Sequence, residues 1–215
     1  MNDAASAVAA GAGALEAPLD RARAFPWLVL QYLIWLALYL GINAATAGRV
    51  VARPLLPGEQ SLPLVAAAYP LYALVYLEIV LPLFFARSRR AYLRVQLALG
   101  LASLIGFAVF LAAPMPYPRP AAAPPDVTGW LLSLEWAIDA PRNTFPSLHV
   151  AFTWLFWLGL RAEAPRWRAA LAATAVAVSV STVLVKQHFV VDVAGGLVLA
   201  VLAWWLSGRL TARVA

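Results

Sequence analysis

The stretch KQHFVVDVAGGLVLAVLAWWLSG, residues 186–208, decides how the rest of the chain is read. From residue 189 onward it is apolar almost throughout and long enough for a bilayer core, which takes about 20 helical residues. Yet it opens on Lys186, Gln187 and His188 and holds Asp192 near its start. An ionisable group inside a span costs about 2.5–3.5 kcal/mol on insertion scales, so its default reading is functional. His188 and Asp192 are four apart and share a helix face. A carboxylate bonded to one imidazole nitrogen fixes the tautomer and leaves the other nitrogen free as a nucleophile. The competing reading is a packing hydrogen bond between spans, although uncharged groups usually make those. Ala194, Gly195 and Gly196 are small enough to admit a close neighbouring helix.

Composition agrees with a membrane protein. The chain has 215 residues, 63% hydrophobic and 12% charged, and a mean hydropathy of +0.78; a soluble domain averages about 25% charged residues. The absence of cysteine excludes disulfides and thiolate metal sites. The net charge of +6 falls in short basic clusters between apolar runs, which fits the positive-inside rule rather than nucleic-acid binding. Six stretches qualify or nearly qualify as spans: 26–48, 62–86, 92–113, 144–160, 168–186 and 189–208. The expected fold is therefore all-α, a polytopic six-helix bundle over 25–208. An Ala/Gly-rich disordered cytoplasmic tail over 1–24 precedes it, and a short cytoplasmic tail over 209–215 follows.

With both termini inside, eleven of the sixteen Lys and Arg residues face the cytoplasm. They are Arg21, Arg23, Arg87, Arg89, Arg90, Arg94, Arg161, Arg166, Arg168, Arg209 and Arg213; Arg49, Arg53, Arg119, Arg142 and Lys186 face outward. The Pro-rich outer loop 114–130 cannot be helical throughout. WLLSLEWAID (130–139) is too short to span and is expected to lie in the interface. Trp27, Trp130, Trp136, Trp167, Trp204 and Trp205 read as aromatic belts at span ends. Glu78, inside the second span, reads as a helix-packing hydrogen bond or a residue near the cytoplasmic interface.

This sidedness puts Arg119, His149, Lys186, His188 and Asp192 at one membrane level. In RNTFPSLHVAF (142–152), Asn143 or Thr144 can cap a helix and Pro146 suits its first turn. The unpaired N–H groups of that turn, with the Ser147 hydroxyl, make an anion site beside His149. Taken alone, His149 is equally an interfacial capping residue. Arg119 and Lys186 facing a helix N-terminus suit a multiply charged anion such as phosphate, although an unpartnered lysine there simply snorkels. Two histidines and a carboxylate also match a non-haem iron triad, but two neighbouring cations would repel the metal.

These segments resemble the three signature motifs of the type 2 phosphatidic acid phosphatase superfamily, which includes the vanadium haloperoxidases. The resemblance covers residues 112–196. Arg119-Pro120 match the end of the first motif, with Ala112 at its lysine position. Pro146-Ser147-Leu148-His149 match the second, with Leu148 replacing glycine. Ser181, His188 and Asp192 match the third, with Thr182 replacing arginine. Lys186, one turn past Thr182, is expected to supply the missing charge. FPSLHVA and KQHFVVD are most similar to the branch containing inositol phosphorylceramide synthases.

The resemblance implies a metal-independent, cofactor-free reaction on a membrane lipid. His188, oriented by Asp192, attacks phosphorus, and His149 first protonates the leaving oxygen and then deprotonates the acceptor. Arg119, Lys186, Ser147 and the N–H groups near Leu148 hold the phosphoryl oxygens. Water as acceptor makes a lipid phosphatase, the reading favoured. An alcohol makes a phosphotransferase, with Arg142 available to a headgroup or acceptor, though such an arginine is more often a lipid-facing anchor. A non-catalytic lipid-phosphate binder or transporter is the third reading, although transporters usually carry polar residues through the membrane's depth or inverted repeats.

Overall fold

The computed structural model describes residues 15–212, and among these it contains no strand, only an isolated β-bridge between Pro18 and Ser88. Four long apolar helices are α1 (Arg21–Ala45), α5 (Arg89–Ala112), α8 (Arg168–Leu184) and α9 (Val190–Ala212). Each is long and apolar enough to cross a membrane, α8 together with the turn of 3₁₀-helix before it. Two shorter apolar helices, α6 (Val127–Ile138) and α7 (Leu148–Leu160), lie between α5 and α8. Asp20, Ser88, Asp126 and Ser147 cap α1, α5, α6 and α7, each side chain accepting a first-turn N–H.

The segment 62–86, expected as one continuous span, is instead a chain of short pieces. A 3₁₀ turn (Ala66–Ala68) leads into α2 (Tyr69–Tyr72), α3 (Leu74–Glu78) and α4 (Leu81–Phe85). Pro70 and Pro82 sit in the first turns of α2 and α4. Proline lacks an N–H and clashes with the carbonyl four residues back, so it starts a helix and does not continue one. Hydropathy is blind to that.

The tail expected over 1–24 also ends earlier. Residues 1–14 lie outside the described residues, whereas Leu19 is buried, its N–H donates to the Arg87 carbonyl at 3.3 Å, and α1 begins at Arg21. At the other end α9 runs to Ala212, past the boundary expected at 209, and residues 213–215 lie outside the described residues.

α5, α7 and α9 pack on one another around Val95, Ala98, Ala102, Leu155, Phe156, Ala200 and Ala203, all buried. Gly196 brings α9 onto the start of α7: a Cβ there would meet the Ser147 carbonyl oxygen at 2.6 Å. α1 is held more loosely, with only Ala24, Leu28 and Asn43 buried. Trp27, Val198 and Val201 are more than 60% exposed. On helices of this length and hydropathy such a girdle faces lipid, and the chain is an integral membrane protein.

Candidate active site

The turn between α8 and α9 sets the first half of the site. The Lys186 N–H donates to the Val183 carbonyl and the Gln187 N–H to that of Thr182, at 3.1 and 3.0 Å. This crossed pair ends α8, with Lys186 in the left-handed conformation at φ 58°. His188 then stands just before α9, and its Nδ1 lies 3.3 Å from Asp192 Oδ2. The same oxygen accepts the Phe189 N–H at 2.8 Å. With Asp192 fully buried, the His188 ring is fixed from behind and Nε2 is the nitrogen left free.

His149 comes from the first turn of α7, and its ring centroid lies 5.9 Å from that of His188. Its face stacks on Tyr72 at 4.4 Å, and its Nε2 lies 3.4 Å from the Tyr76 hydroxyl. Both histidines line a cavity of about 710 Å³, together with Arg119, Glu135, Asp139, Arg142, Leu148 and Gln187. From this polar end the cavity continues between α1 and the bundle along Trp35, Leu99, Leu104, Phe107 and Phe152, reaching Leu28, Gln31 and Gln96.

Arg119 donates through Nη1 to the Asp139 carbonyl at 2.6 Å and through Nη2 to Gln187 Oε1. Burial lowers its pKa, while Asp139 pulls it back up; a guanidinium stays charged regardless. Arg142 donates to the Asn43 carbonyl at 3.0 Å, which ties the cavity rim to the end of α1.

Two expected phosphate ligands are placed elsewhere. Lys186 does not line the cavity. Its left-handed backbone breaks the helical phase that would have put it on the face of Thr182. Burial lowers its pKa, and the charge that opposes this is the Glu59 carboxylate. Glu59 itself accepts the Val190 and Leu56 N–H groups at 2.7 and 3.0 Å. Ser147 is fully buried and absent from the cavity wall, because its hydroxyl caps α7 by accepting the Val150 N–H at 3.3 Å. Its own N–H goes to the Asp192 carbonyl at 3.1 Å. The first-turn N–H groups of Leu148 and His149 have no intrahelical partner and stay available to an anion at this end. Glu78 is buried but does not line the cavity.

Sequence reasoning missed Gln187 and a buried acidic layer. Glu135 accepts from the hydroxyls of Tyr76, Tyr69 and Tyr72 at 2.7, 3.2 and 3.4 Å. Asp139 Oδ1 accepts from the Tyr39 hydroxyl at 2.6 Å and from Asn43 at 3.2 Å. Burial pushes both carboxyls up, and for Asp139 the Tyr39 hydrogen bond, then Arg119 and His188, pull the other way. Their spacing of four on an apolar helix is the same signal that exposed His188 and Asp192.

Fold and site together define a helical integral membrane protein with a paired-histidine, aspartate-oriented centre. The PAP2 superfamily profile matches residues 37–206. The chain belongs to the PAP2 superfamily. A crystal structure described as the first transmembrane PAP2 type phosphatidylglycerolphosphate phosphatase, from Bacillus subtilis, is similar at 19% identity and TM-score 0.42, covering 87% of this chain and 97% of that one. No curated protein matches the chain.

Proposed function

We propose that this protein hydrolyses a lipid phosphate ester through a phosphohistidine. The observation that carries this is the pair of histidines 5.9 Å apart at the polar end of a cavity that continues as an apolar groove. His188 Nε2 attacks phosphorus as the bond to the leaving oxygen breaks, and His149 gives that oxygen a proton. Water then loses a proton to His149 and attacks the phosphohistidine, which breaks the N–P bond and frees phosphate. Asp192 holds the Nδ1 proton of His188 and stabilises its positive charge. Arg119 and the N–H groups of Leu148 and His149 meet the phosphoryl oxygens, where charge spreads in the transition state. Among the described residues no group of three or more His, Asp or Glu is placed to hold a metal ion, and this mechanism asks for none. The family membership supports chemistry on phosphate, and the groove supports a lipid over a soluble ester.

The arginine distribution supports cytoplasmic termini and a site at the outer face, with α6 lying in the outer interface and six membrane-embedded segments. The broken second segment and the short α7 count among the six, the polar ends of both lining the protein-walled cavity.

Purified protein in detergent, given short-chain phosphatidic acid or a polyprenyl phosphate, is expected to release phosphate. Chelator should leave the rate unchanged, His188→Ala should abolish it, and rapid acid-free quenching should trap an acid-labile phosphoenzyme. A binder or transporter would show retention of the lipid with no turnover, and that result overturns the reading. Phosphotransfer to an alcohol has its own support in Glu135 and Asp139, hydrogen-bonding groups beside the phosphate end that suit a hydroxylated acceptor better than an anion. Inositol or a sugar added to the assay separates the two, since a transferase would form the phosphorylated alcohol at the expense of free phosphate.

A further inference from the structure

We propose that Tyr76 and Glu135 are positioning residues for His149: the carboxylate, acting through the tyrosine hydroxyl, fixes which imidazole nitrogen keeps its proton and which exchanges one with the substrate. The inference rests on the phosphohistidine reading above and adds to it a support for the acid–base histidine.

Glu135 is 8% exposed and is ringed by three phenols. Three O–H donors satisfy a buried carboxylate, and that by itself is structural. Tyr76 differs from Tyr69 because its oxygen also faces His149 Nε2, at 3.4 Å. A phenol has one proton and two lone pairs. Glu135 has no proton to give when ionised, so at 2.7 Å the Tyr76 proton points at the carboxylate. The oxygen's lone pairs then face the imidazole, and the group they accept is Nε2–H.

The consequence is a division of labour between the two nitrogens of His149. Nε2 keeps its proton through both steps, held on Tyr76, and Nδ1 is the exchanging atom. In the first step the Nδ1 proton passes to the leaving oxygen as the P–O bond breaks. In the second, Nδ1 takes a proton from water as its oxygen bonds to phosphorus and the N–P bond breaks. His188 has the opposite arrangement, with Nδ1–H fixed on Asp192 and Nε2 free. Each histidine thus has a carboxylate behind it, direct for the nucleophile and relayed through a phenol for the acid–base group. The Tyr72 ring beneath His149 fixes its plane. The groups facing this imidazole are Tyr72 and Tyr76 from the broken second segment and His188 from the turn before α9, with Glu135 of α6 behind the tyrosines.

Support of a general acid matters in proportion to how badly the leaving group needs a proton. Tyr76→Phe removes one oxygen and Glu135→Gln one charge; each is assayed on dioctanoyl phosphatidic acid, whose leaving group is an alkoxide, and on p-nitrophenyl phosphate, whose leaving group is stable as an anion. Tyr76→Phe is expected to lower kcat on the lipid about tenfold or more with KM within about twofold. Its first-turnover release of nitrophenolate should stay within about threefold of wild type, followed by a slower steady state because His149 is then a poorer base. Glu135→Gln should follow the same pattern, and if it fails to fold, Tyr76→Phe decides alone. Equal losses on both esters, or no loss on the lipid, overturn the proposal while an active wild type leaves the phosphatase reading standing. A wild type that hydrolyses neither ester overturns that reading, and this one with it.

Discussion

Lys186 lies one turn past Thr182, and on a continued helix the two would share a face. Instead α8 stops at Leu184 and Lys186 takes a left-handed backbone, a conformation that costs a non-glycine residue about 1–2 kcal/mol. The lysine therefore leaves the cavity to Gln187 and Arg119. Lys186→Gly, which fits the left-handed position, should keep kcat within about threefold of wild type, whereas Arg119→Ala should lose about a hundredfold or more; parallel phosphate-release assays check both. His188 and Asp192 were legible because they lie four apart in one short segment, the turn before α9 and the first turn of α9 itself. Glu135 and Asp139 offered the same spacing, but their tyrosine partners come from α1 and the broken second segment, distant in sequence, and no local pattern announces such a ring. Their raised pKa values also make a prediction. A carboxyl whose folded pKa lies above its unfolded value of about 4 binds more protons folded than unfolded between the two, so stability falls as pH rises through that window. The thermal midpoint in detergent should accordingly drop from pH 4 upward until the raised pKa values are passed, and Asp139→Asn should flatten that slope.

At the scale of elements, hydropathy located the apolar segments and proline then divided one of them. Tyr72 and Tyr76, on either side of the interruption at Ala73, both pack against His149. The small residues after Asp192 were read as room for a neighbour, and Gly196 against the Ser147 carbonyl is that contact. What the sequence left open was the neighbour's identity, because a glycine marks close approach without naming the partner. Ser147 caps α7 and Gly196 lies in the second turn of α9, so this contact also sets the separation of His149 from His188. Backbone oxygen cannot rotate away from an added methyl. Gly196→Ala should cost about 1–3 kcal/mol, the range for overpacking, and lower activity at least about tenfold by spreading the histidines. Gly41→Ala on α1, where a Cβ meets nothing within 4 Å, should be neutral or gain up to about 1 kcal/mol of helix propensity. Thermal midpoints and turnover of the two variants, measured side by side, test the assignment.

For the whole molecule, the cavity is a product of how loosely α1 sits. Only three residues of α1 are buried, and the gap on its inner side is the groove that joins the histidines to Leu28. Composition showed that α1 is apolar, but a helix that is apolar all round gives no sign of which side faces lipid and which a cavity. From Asn43 to Leu28 the helix descends about 22 Å at 1.5 Å per residue, a depth suited to one extended acyl chain. If the groove holds that chain, each methylene it buries contributes about 0.8 kcal/mol, or about fourfold in kcat/KM. A series of phosphatidic acids kept below their aggregation concentrations should therefore rise by about that factor per carbon from butanoyl to octanoyl, with glycerol 3-phosphate a very poor substrate. Gly100 lines the groove and a Cβ there meets nothing within 4 Å, so Gly100→Phe can fill the channel without disturbing its walls. That variant should match wild type on the butanoyl ester and fall progressively behind it on longer ones. A flat chain-length profile in wild type, or a loss in Gly100→Phe independent of chain length, would separate the groove from substrate binding and leave only the polar end of the cavity to recognise the ester.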